Sequence, residues 1–305
     1  MIECFKILLL SFDNEDEIFD IKKGKRIFGV DCLKPYAKAN PTIIVADPFL
    51  FEYKGKLHLF YESKELYTPG VLMMTSTSDL VHWSKPVVVL KEPFHLSYPW
   101  VFEENGKVYM IPETGQDGSI RLYEATSDSL SSFRLVKKLL EQPKDKEIKM
   151  GYGDSSIYKK DGKYYLMTML QYSEPVNVLE LYISDKFEGP YTPHPSSPII
   201  ESNKVGRDAG CWIEHQGKLL RVSQDCTHRY GDNVHVSEIT KLSPTEYEET
   251  ILKEKILPTD IPFYKEGGHQ FNVINFRGKW IVATDAKEYH HLIGTRILHK
   301  IKSKL

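Results

Sequence analysis

The sequence lacks the features that mark several classes of protein. Its 305 residues include four cysteines, and none of them stands in a C-x-x-C pair, which weakens a zinc or redox interpretation. Basic and acidic residues nearly cancel, 40 against 42, so no electrostatic argument favours nucleic acid or an anionic membrane as a partner. Cys211 and Cys226 fall on opposite strands of one predicted hairpin but are offset, so we expect no disulfide between them.

Long apolar segments are also missing. No run is long enough to span a bilayer. The apolar stretch from Ile7 to Leu10 is short, and an acidic segment at 13–17 follows it, whereas a signal peptide needs a basic start, a longer apolar core and a small-residue cleavage site. We therefore expect no membrane span and a cytoplasmic location, the alternative being export by a route that the sequence does not reveal.

The chain contains one hairpin pattern that occurs five times. Each copy has an apolar stretch, a Gly-Lys turn and a second apolar stretch. The turn glycines are Gly55, Gly106, Gly162, Gly217 and Gly278, at spacings of 51, 56, 55 and 61 residues. A strand repeat of this period indicates propeller blades or solenoid units. The near-continuous apolar runs suit strands that are covered on both faces.

A second element follows the first three hairpins. Ser-Asp pairs begin at Ser78, Ser127 and Ser184 and lead to Trp83, Phe133 and Tyr191, while a weaker copy at Ser237-Glu238 leads to Tyr247. This pattern indicates a third strand, a turn and a short outer strand. Four antiparallel strands in each of five repeats predict an all-β protein, a five-bladed β-propeller.

We expect a single domain over residues 1–305, with blades at about 42–95, 96–148, 149–203, 204–262 and 263–305. The last repeat has two hairpin strands and a third near 293–301, so its fourth strand is predicted to come from Phe5 to Phe12. That pairing would close the ring and remove free edges. The alternative is a separate edge strand; the rest of 1–41 would be a lead-in.

Polar residues recur at matched strand ends. They are Asp47, Tyr98, Asp154, Asp208 and His269 before the turns, and Glu62, Glu113, Gln224, Asp225 and Asp285 after them. Because a hairpin brings its two ends together, Asp47 should neighbour Glu62 and His269 should neighbour Asp285. We expect all these ends to meet at one mouth of the ring, where function in a propeller resides.

Most of these residues are carboxylates, and like charges at one mouth would repel. Some must be protonated, paired with Arg207 or Arg221, or bound to a cation. Calcium suits hard oxygen ligands, but no spacing here is diagnostic and we expect no required cofactor. Aromatic faces beside carboxylates bind sugar rings. The aromatic residues expected in the same region are Tyr98, Trp100, Tyr152, Trp212 and Tyr230. For Trp100 the alternative is packing between blades.

The motifs resemble two related groups. Ala46-Asp47-Pro48-Phe49 and Asp154 resemble the five-bladed propeller glycosidases, which include arabinanases, β-xylosidases, invertases and levansucrases. The chain is more similar to the propeller domain at the N-terminal side of plant glucosamine inositolphosphorylceramide transferases and related bacterial proteins. That similarity rests on Tyr98-Pro99-Trp100-Val101-Phe102, Pro112-Glu113-Thr114, Gly206-Arg207-Asp208-Ala209-Gly210, Arg221-Val222-Ser223-Gln224-Asp225-Cys226 and Gly268-His269-Gln270-Phe271-Asn272.

The resemblance to the glycosidases implies that Asp47 is the base or nucleophile and that Asp154 tunes or orients. It also implies a glutamate acid at the opening of blade four, but Arg207-Asp208 stands there. The acid would then be Glu113, Asp208 or absent. The candidate substrate-binding residues are Glu62, Tyr98, Trp100, Arg207, Arg221, Gln224, Asp225, His269 and Asp285.

Three functions compete. A glycoside hydrolase is favoured, with Asp47 as base and Glu113 as acid. The second hypothesis is a non-hydrolytic module that binds a glycan, sugar nucleotide or lipid-linked glycan and assists or performs transfer. The third is a protein-interaction propeller, which would not need this concentration of carboxylates. The expected partner is therefore a carbohydrate or glycoconjugate.

Overall fold

The computed structural model describes residues 1–32, 40–144, 147–172, 174–210 and 212–291, and strands dominate this part of the chain. The strands are β1 (Ile2–Phe12), β2 (Lys25–Val30), β3 (Thr42–Tyr53), β4 (Lys56–Glu65), β5 (Val71–Thr77), β6 (Val87–Leu90), β7 (Ser97–Glu104), β8 (Lys107–Glu113), β9 (Ser119–Ala125), β10 (Phe133–Glu141), β11 (Met150–Lys160), β12 (Lys163–Gln171), β13 (Val178–Ser184), β14 (Thr192–Pro193), β15 (Ile200–Glu201), β16 (Ile213–His215), β17 (Lys218–Asp225), β18 (Asn233–Leu242), β19 (Tyr247–Lys253), β20 (Phe271–Phe276) and β21 (Lys279–His290).

Helical structure in the described residues is limited to four 3-10 turns. These are Glu15–Glu17, Ile21–Lys23, Gly115–Asp117 and Pro262–Tyr264. None has the length and apolar character that crossing a bilayer requires.

The strands of the described chain form five antiparallel sheets, in the orders β3-β4-β5-β6, β7-β8-β9-β10, β11-β12-β13-β14 with β15 also on β13, β16-β17-β18-β19, and β20-β21-β1-β2. These sheets are the blades of a five-bladed β-propeller, so the predicted fold class is confirmed. The chain divides into two compact units. The first unit is Met1–Ser97 with Leu257–Leu305, and the second is Tyr98–Ile256.

The N-terminal segment does join the last sheet, but the predicted strand order is wrong by one place. Strand β1 pairs with β21 along its full length, from Ile2 opposite His290 to Phe12 opposite Trp280, and is therefore the third strand of the blade. The fourth strand is β2, which lies in the segment expected to be a lead-in. The third strand predicted near 293–301 lies outside the described residues, as does Cys211.

The five turns differ in one detail from the prediction. The two turn residues are the glycine and the residue before it, and the lysine begins the next strand. At Lys54-Gly55 the φ angles are 49° and 72°, and the other four turns also have two positive values. Positive φ at both positions is typical of the type I′ turn, whose twist matches that of the flanking strands. The repeat glycine is therefore selected by its backbone conformation.

The second repeated element is also mostly as expected. Strands β5, β9 and β13 end at the predicted polar turns. In the fourth blade, however, β18 continues through Ser237-Glu238 to Leu242, and the turn falls at Ser243, whose hydroxyl accepts from the backbone N–H of Glu246. The predicted turn at Ser237 is therefore wrong, because Ser237 is fully buried and paired within the sheet.

Buried strand faces form the core of each unit. In the first unit Leu9, Leu57, Leu59, Ile281 and Ala283 are fully buried in one apolar cluster. In the second unit Tyr165, Met167, Leu179 and Leu181 play the same part. Strands apolar on both faces place their side chains between layers, which leaves the strand ends and connections to carry polar groups.

Candidate functional site

Two predicted site residues share one local conformation. Asp47 in β3 and Asp154 in β11 have φ angles of 53° and 51°, and the strand register shifts around each of them. Aspartate is among the few side chains that adopt left-handed backbone with little cost. The bulge turns both carboxylates out of the ordinary strand alternation, so these two repeats orient their acids by the same backbone conformation.

In the first unit, Asp47, His269 and Asp285 form a buried triad. The imidazole Nε2 lies 2.8 Å from Asp47 Oδ1, and Nδ1 lies 3.1 Å from Asp285 Oδ2. Asp285 also accepts backbone N–H bonds from His269, at 2.8 Å, and from Asp47, at 3.2 Å. Strand β21 thus supplies the carboxylate that connects the other two residues, as the hairpin argument predicts for His269 and Asp285.

The imidazole of this triad is protonated. Burial acts to lower the pKa of His269, but the carboxylates of Asp285 and Asp47 raise that pKa well above its ordinary value. The positive charge of the ring is therefore paired with a carboxylate on each side. The possible ligand atoms of the three residues lie within 4.8 Å of one another, close enough to hold a metal ion. Calcium fits poorly, because it ordinarily takes six or more oxygen ligands and His269 offers a nitrogen.

A second histidine lies near the triad. Glu62 is buried, and its Oε1 lies 3.4 Å from Nε2 of His95. The Nδ1 atom of His95 accepts the backbone N–H of Gly70 at 3.0 Å, which leaves the proton on Nε2, facing Glu62. Burial and the charge of Lys64 lower the pKa of His95, so this ring is neutral at pH 7. The sequence analysis did not identify His95, because it lies between repeats with no motif around it.

In the second unit, Arg207 connects three predicted residues. Its Nε donates to Asp154 Oδ2, and its Nη2 lies 3.5 Å from Glu113 Oε2. Gln224 donates to the same Asp154 oxygen at 3.1 Å and to the carbonyl of Asp208 at 2.8 Å. Burial acts to lower the pKa of Arg207, but the charges of Asp154 and Glu113 raise it well above its ordinary value.

Glu113 is the most accessible carboxylate of this network. Its side chain is 20 % exposed, against 3 % for that of Asp154. It lies beside Gly153, where a Cβ atom would come within 3.2 Å of Oε2. The glycine therefore leaves room for the glutamate, and any solvent-facing chemistry of the network falls to Glu113.

Arg221 forms a separate, sealed network. Its side chain is 3 % exposed and donates to Asp208 at 2.9 Å, to both oxygens of Glu249 at 2.7 Å and to the carbonyl of Val205 at 2.8 Å. It reaches Glu249 on β19 across β18, where its strand partner is the small Ser237. Four of five guanidinium N–H groups are thus used within the protein, so Arg221 positions Asp208 instead of facing a ligand.

Asp208 itself has an unusual acidity. Burial raises its pKa to about 7, against the opposing charge of Arg221. The carboxyl is 2 % exposed. It is therefore a protonatable group near neutral pH that has little access to solvent.

Asp225 anchors a loop. Its Oδ1 accepts the N–H of Thr227 at 3.0 Å, its Oδ2 lies 3.3 Å from Nε2 of His235, and its carbonyl accepts the N–H of Asp232 at 2.9 Å. This loop carries Tyr230, whose ring lies 5.0 Å from the Arg207 guanidinium carbon. Asp225 therefore orders the segment that places an aromatic ring on the arginine.

The two remaining aromatic candidates are buried. Tyr98 has a φ angle of 47°, rare for a bulky residue, and its hydroxyl donates to the carbonyl of Gly210. Trp100 is 8 % exposed and stacks on Phe102 with ring centroids 4.5 Å apart. Packing accounts for the position of Trp100.

The structure thus groups the predicted residues within units. The first unit brings together Asp47, Glu62, His269 and Asp285; the second brings together Glu113, Asp154, Arg207, Asp208, Arg221 and Gln224. The expectation that carboxylates pair with Arg207 or Arg221 is confirmed for Asp154 and Asp208. Glu249 was missed, although an arginine inside an apolar strand signals a buried carboxylate partner.

Several solved structures with similar folds are glycoside hydrolases. An α-L-arabinofuranosidase from Podospora anserina matches with a TM-score of 0.59 and 10 % identity, over 80 % of this chain and 91 % of that one. A thermostable family-43 glycoside hydrolase matches with a TM-score of 0.58 and 15 % identity, over 82 % and 91 %. A family 117 glycoside hydrolase of Zobellia galactanivorans matches with a TM-score of 0.56 and 14 % identity, over 80 % and 84 %. At these identities the likeness shows the fold.

Curated relatives are more similar in sequence. The glucosamine inositolphosphorylceramide transferase 1 of Arabidopsis thaliana is 34 % identical over 227 residues, which cover 72 % of this chain and 28 % of the relative. Its counterpart in Oryza sativa subsp. japonica is 33 % identical over 225 residues, with 72 % and 29 % covered. The chain therefore spans less than a third of the length of these relatives.

A family model gives the same result. It is described as glucosamine inositolphosphorylceramide transferase 1, N-terminal, and it matches residues 28–285, which include both clusters. The carbohydrate-related character and the propeller fold expected from the motifs agree with this match. The chain belongs to the family of the N-terminal region of glucosamine inositolphosphorylceramide transferase 1.

Proposed function

We propose that this chain binds a carbohydrate group of a glycan or glycolipid and holds it for a transfer reaction in glycan assembly, without hydrolysing it. One observation carries the proposal. Three of the four carboxylates that glycosidase chemistry would use are each paired with a buried cation of their own unit: Asp47 with His269, Asp154 with Arg207, and Asp208 with Arg221.

Such pairs suit binding better than acid catalysis. A carboxylate fixed by a cation is a preorganised acceptor for sugar hydroxyls. A general acid must instead carry a proton and reach the leaving oxygen. Asp208, with its pKa of about 7, has the acidity for this role, but it is buried and bonded to Arg221. The glutamate acid of the glycosidase pattern is replaced at that place by Arg207-Asp208.

The family membership supports the same direction. The curated relatives are named glucosamine inositolphosphorylceramide transferase 1, a name that joins an amino sugar to a sphingolipid. Their chains are more than three times as long as the matched region, so residues elsewhere in them have room for the transfer chemistry. We infer that the propeller contributes recognition of the sugar-bearing partner.

A second candidate, glycoside hydrolysis, is favoured by Glu113. Its carboxyl is the most accessible in the network of the second unit, and Arg207 beside it could hold a substrate hydroxyl. In that mechanism Glu113 would protonate the leaving oxygen, and the base implied by the glycosidase resemblance is Asp47. The two candidates differ in whether bound sugar is turned over.

The deciding experiment measures binding and turnover on the same protein. Purified chain is given aryl glycosides and neutral oligosaccharides; product release and the rise in melting temperature are recorded. The variants are Asp47→Asn and Glu113→Gln, with the exposed Glu103→Gln as matched control. We expect at least one oligosaccharide to raise the melting temperature with no product, and both site variants to reduce that rise.

Turnover by the unaltered chain that disappears in both variants would overturn the proposal and establish the hydrolase. Absence of any thermal response to carbohydrate would overturn both candidates. A response that is equal in Glu103→Gln and in Glu113→Gln would show that the sugar binds elsewhere.

A further inference from the structure

An exposed aromatic ring lies at the edge of the second unit's network. Tyr230 is 38 % exposed, and its ring lies over the guanidinium of Arg207, 5.0 Å from Cζ to the centroid. The sequence places this tyrosine among the aromatic residues near the acidic strand ends, without naming the group that holds it. An arginine below an aromatic ring fixes the plane of the ring through the attraction of cation and π face.

The loop that carries the ring is ordered by several contacts. Asp225 accepts from Thr227 and Asp232, Arg229 donates to Asp232 at 3.0 Å, and Gly231 has a φ angle of 61° that allows the chain to turn back. A ring held in one orientation loses little conformational entropy when a ligand stacks on it. The loop therefore presents a preformed platform.

Polar atoms border the platform on one side. Glu113 Oε2 lies 3.5 Å from Arg207 Nη2, and Arg207 Nη1 lies 3.7 Å from the sulfur of Met150, which is 41 % exposed. An aromatic face next to a carboxylate and a guanidinium matches a pyranose, which has an apolar C–H face and hydroxyls at its rim.

The charge of the cluster restricts the kind of sugar. Arg207 carries one positive charge and is flanked by the carboxylates of Glu113 and Asp154, so the side chains in contact with it leave an excess of negative charge. An anionic ligand group would approach these carboxylates at short range with little screening. An uncharged or amino-substituted ring meets no such repulsion.

We propose that Tyr230, held over Arg207, is the stacking platform for the ring of a neutral or amino-substituted pyranose, and that the site rejects uronic acids and the diphosphate of sugar nucleotides. This inference rests on the proposed function and names its ligand class. The sugar ring stacks on Tyr230, while Glu113, which contacts the same arginine, accepts from a hydroxyl or ammonium group at the rim of the sugar.

The test compares ligands and platform variants by isothermal titration calorimetry. The probes are neutral gluco-, xylo-, arabino- and manno-oligosaccharides, glucosamine oligomers, oligogalacturonate and UDP-sugars. The variants are Tyr230→Ala, Tyr230→Phe and, as a control of equal exposure, Tyr289→Ala. We expect Tyr230→Ala to weaken binding of the preferred oligosaccharide at least about tenfold. Tyr230→Phe and Tyr289→Ala should stay within about twofold.

Saturation-transfer NMR supplies a second readout. Irradiation of the aromatic protons should transfer strongly to the ring C–H protons of the sugar, and this transfer should be lost in Tyr230→Ala. Wild-type affinity in Tyr230→Ala, or preference for oligogalacturonate or UDP-sugars, would overturn the platform while leaving carbohydrate binding intact. Failure of the unaltered chain to bind any probe would overturn the proposed function and this inference together.

Discussion

The two compact units neutralise their buried carboxylates with different cations. In the first unit the imidazolium of His269 lies between Asp47 and Asp285. In the second unit guanidinium groups, those of Arg207 and Arg221, hold the carboxylates. An imidazolium can lose its proton near physiological pH, whereas a guanidinium cannot. Equivalent strand-end acids in the two units are thus stabilised by different kinds of charge. The imidazolium can be deprotonated, whereas the guanidinium groups stay charged at every accessible pH.

The difference extends to which partner titrates. In the first unit the cation is the titratable member, because two carboxylates raise the pKa of His269. In the second unit the titratable member is the acid, because burial raises the pKa of Asp208 to about 7 while Arg221 stays charged. The sealed network of the second unit therefore keeps a permanent charge, since four of the five N–H groups of Arg221 are bonded within the protein.

The largest effect is expected from breaking the permanent cation. Arg221→Met leaves Asp208 and Glu249 buried without their shared partner, and we expect the free energy of unfolding to fall by about 3–5 kcal/mol. Urea denaturation followed by tryptophan fluorescence measures it. The control is Arg134→Met, whose side chain is 67 % exposed and which should change stability by less than about 0.5 kcal/mol. A loss for Arg221→Met no larger than that of the control would contradict the role of this network.

A smaller, pH-dependent effect is expected from the switchable cation. The folded pKa of His269 is raised, so its stabilising contribution is complete below the unfolded value of about 6.5 and is lost as the pH rises through the folded pKa. Above pH 6.5 the unfolding free energy should therefore fall by about 1.4 kcal/mol per pH unit until the folded pKa is reached.

The variant His269→Gln tests this dependence. We expect it to lower the unfolding free energy by about 2–3 kcal/mol at pH 6 and to flatten the decline above pH 6.5. Denaturation curves from pH 6 to pH 9 measure both quantities. His82→Gln, at an exposed ion pair, should keep the wild-type slope. An unchanged slope in His269→Gln would mean that the ring is not protonated between its carboxylates.

The smallest effect concerns a feature that both units share. Gly55→Ala in the first unit and Gly217→Ala in the second place a Cβ on residues with φ angles of 72° and 74°. The added atom would meet nothing within 4 Å at Gly217 and only an ordinary contact at Gly55. Each variant should therefore lose about 1–2 kcal/mol from the left-handed backbone alone. Thermal melts, with Lys56→Ala as control, should give similar losses; a much larger loss in one unit would reveal a packing role there.

Much of the fold could be predicted because its signals are local. The five turn glycines mark type I′ turns, and the apolar runs on either side mark the hairpin strands. The order of β1 and β2 in the last blade could not be predicted in this way. It depends on pairing between residues almost 290 positions apart, and no local pattern distinguishes the third strand of a blade from the fourth.

The candidate site residues also differ in whether a local sequence pattern predicts them. Asp47 and Asp154 were found because they stand at one position of the repeat, where the same bulge recurs. His95 lies in a segment that varies between repeats, so periodicity gave no information about it. Glu249 lies on an outer strand with no repeat signal, and only the sheet order brings it across Ser237 to Arg221.

By itself, the sequence determined the strand content, the five hairpins and the positions where acids collect, because turn conformation and apolar periodicity act over a few residues. Tertiary structure alone decided which cation each acid received, which acids stayed accessible and which were sealed. The physical reason is that burial and charge pairing depend on neighbours from distant strands. Asp208 and Glu113 are both strand-end carboxylates, and only the packing around them leaves Glu113 partly exposed and raises the pKa of Asp208 to about 7.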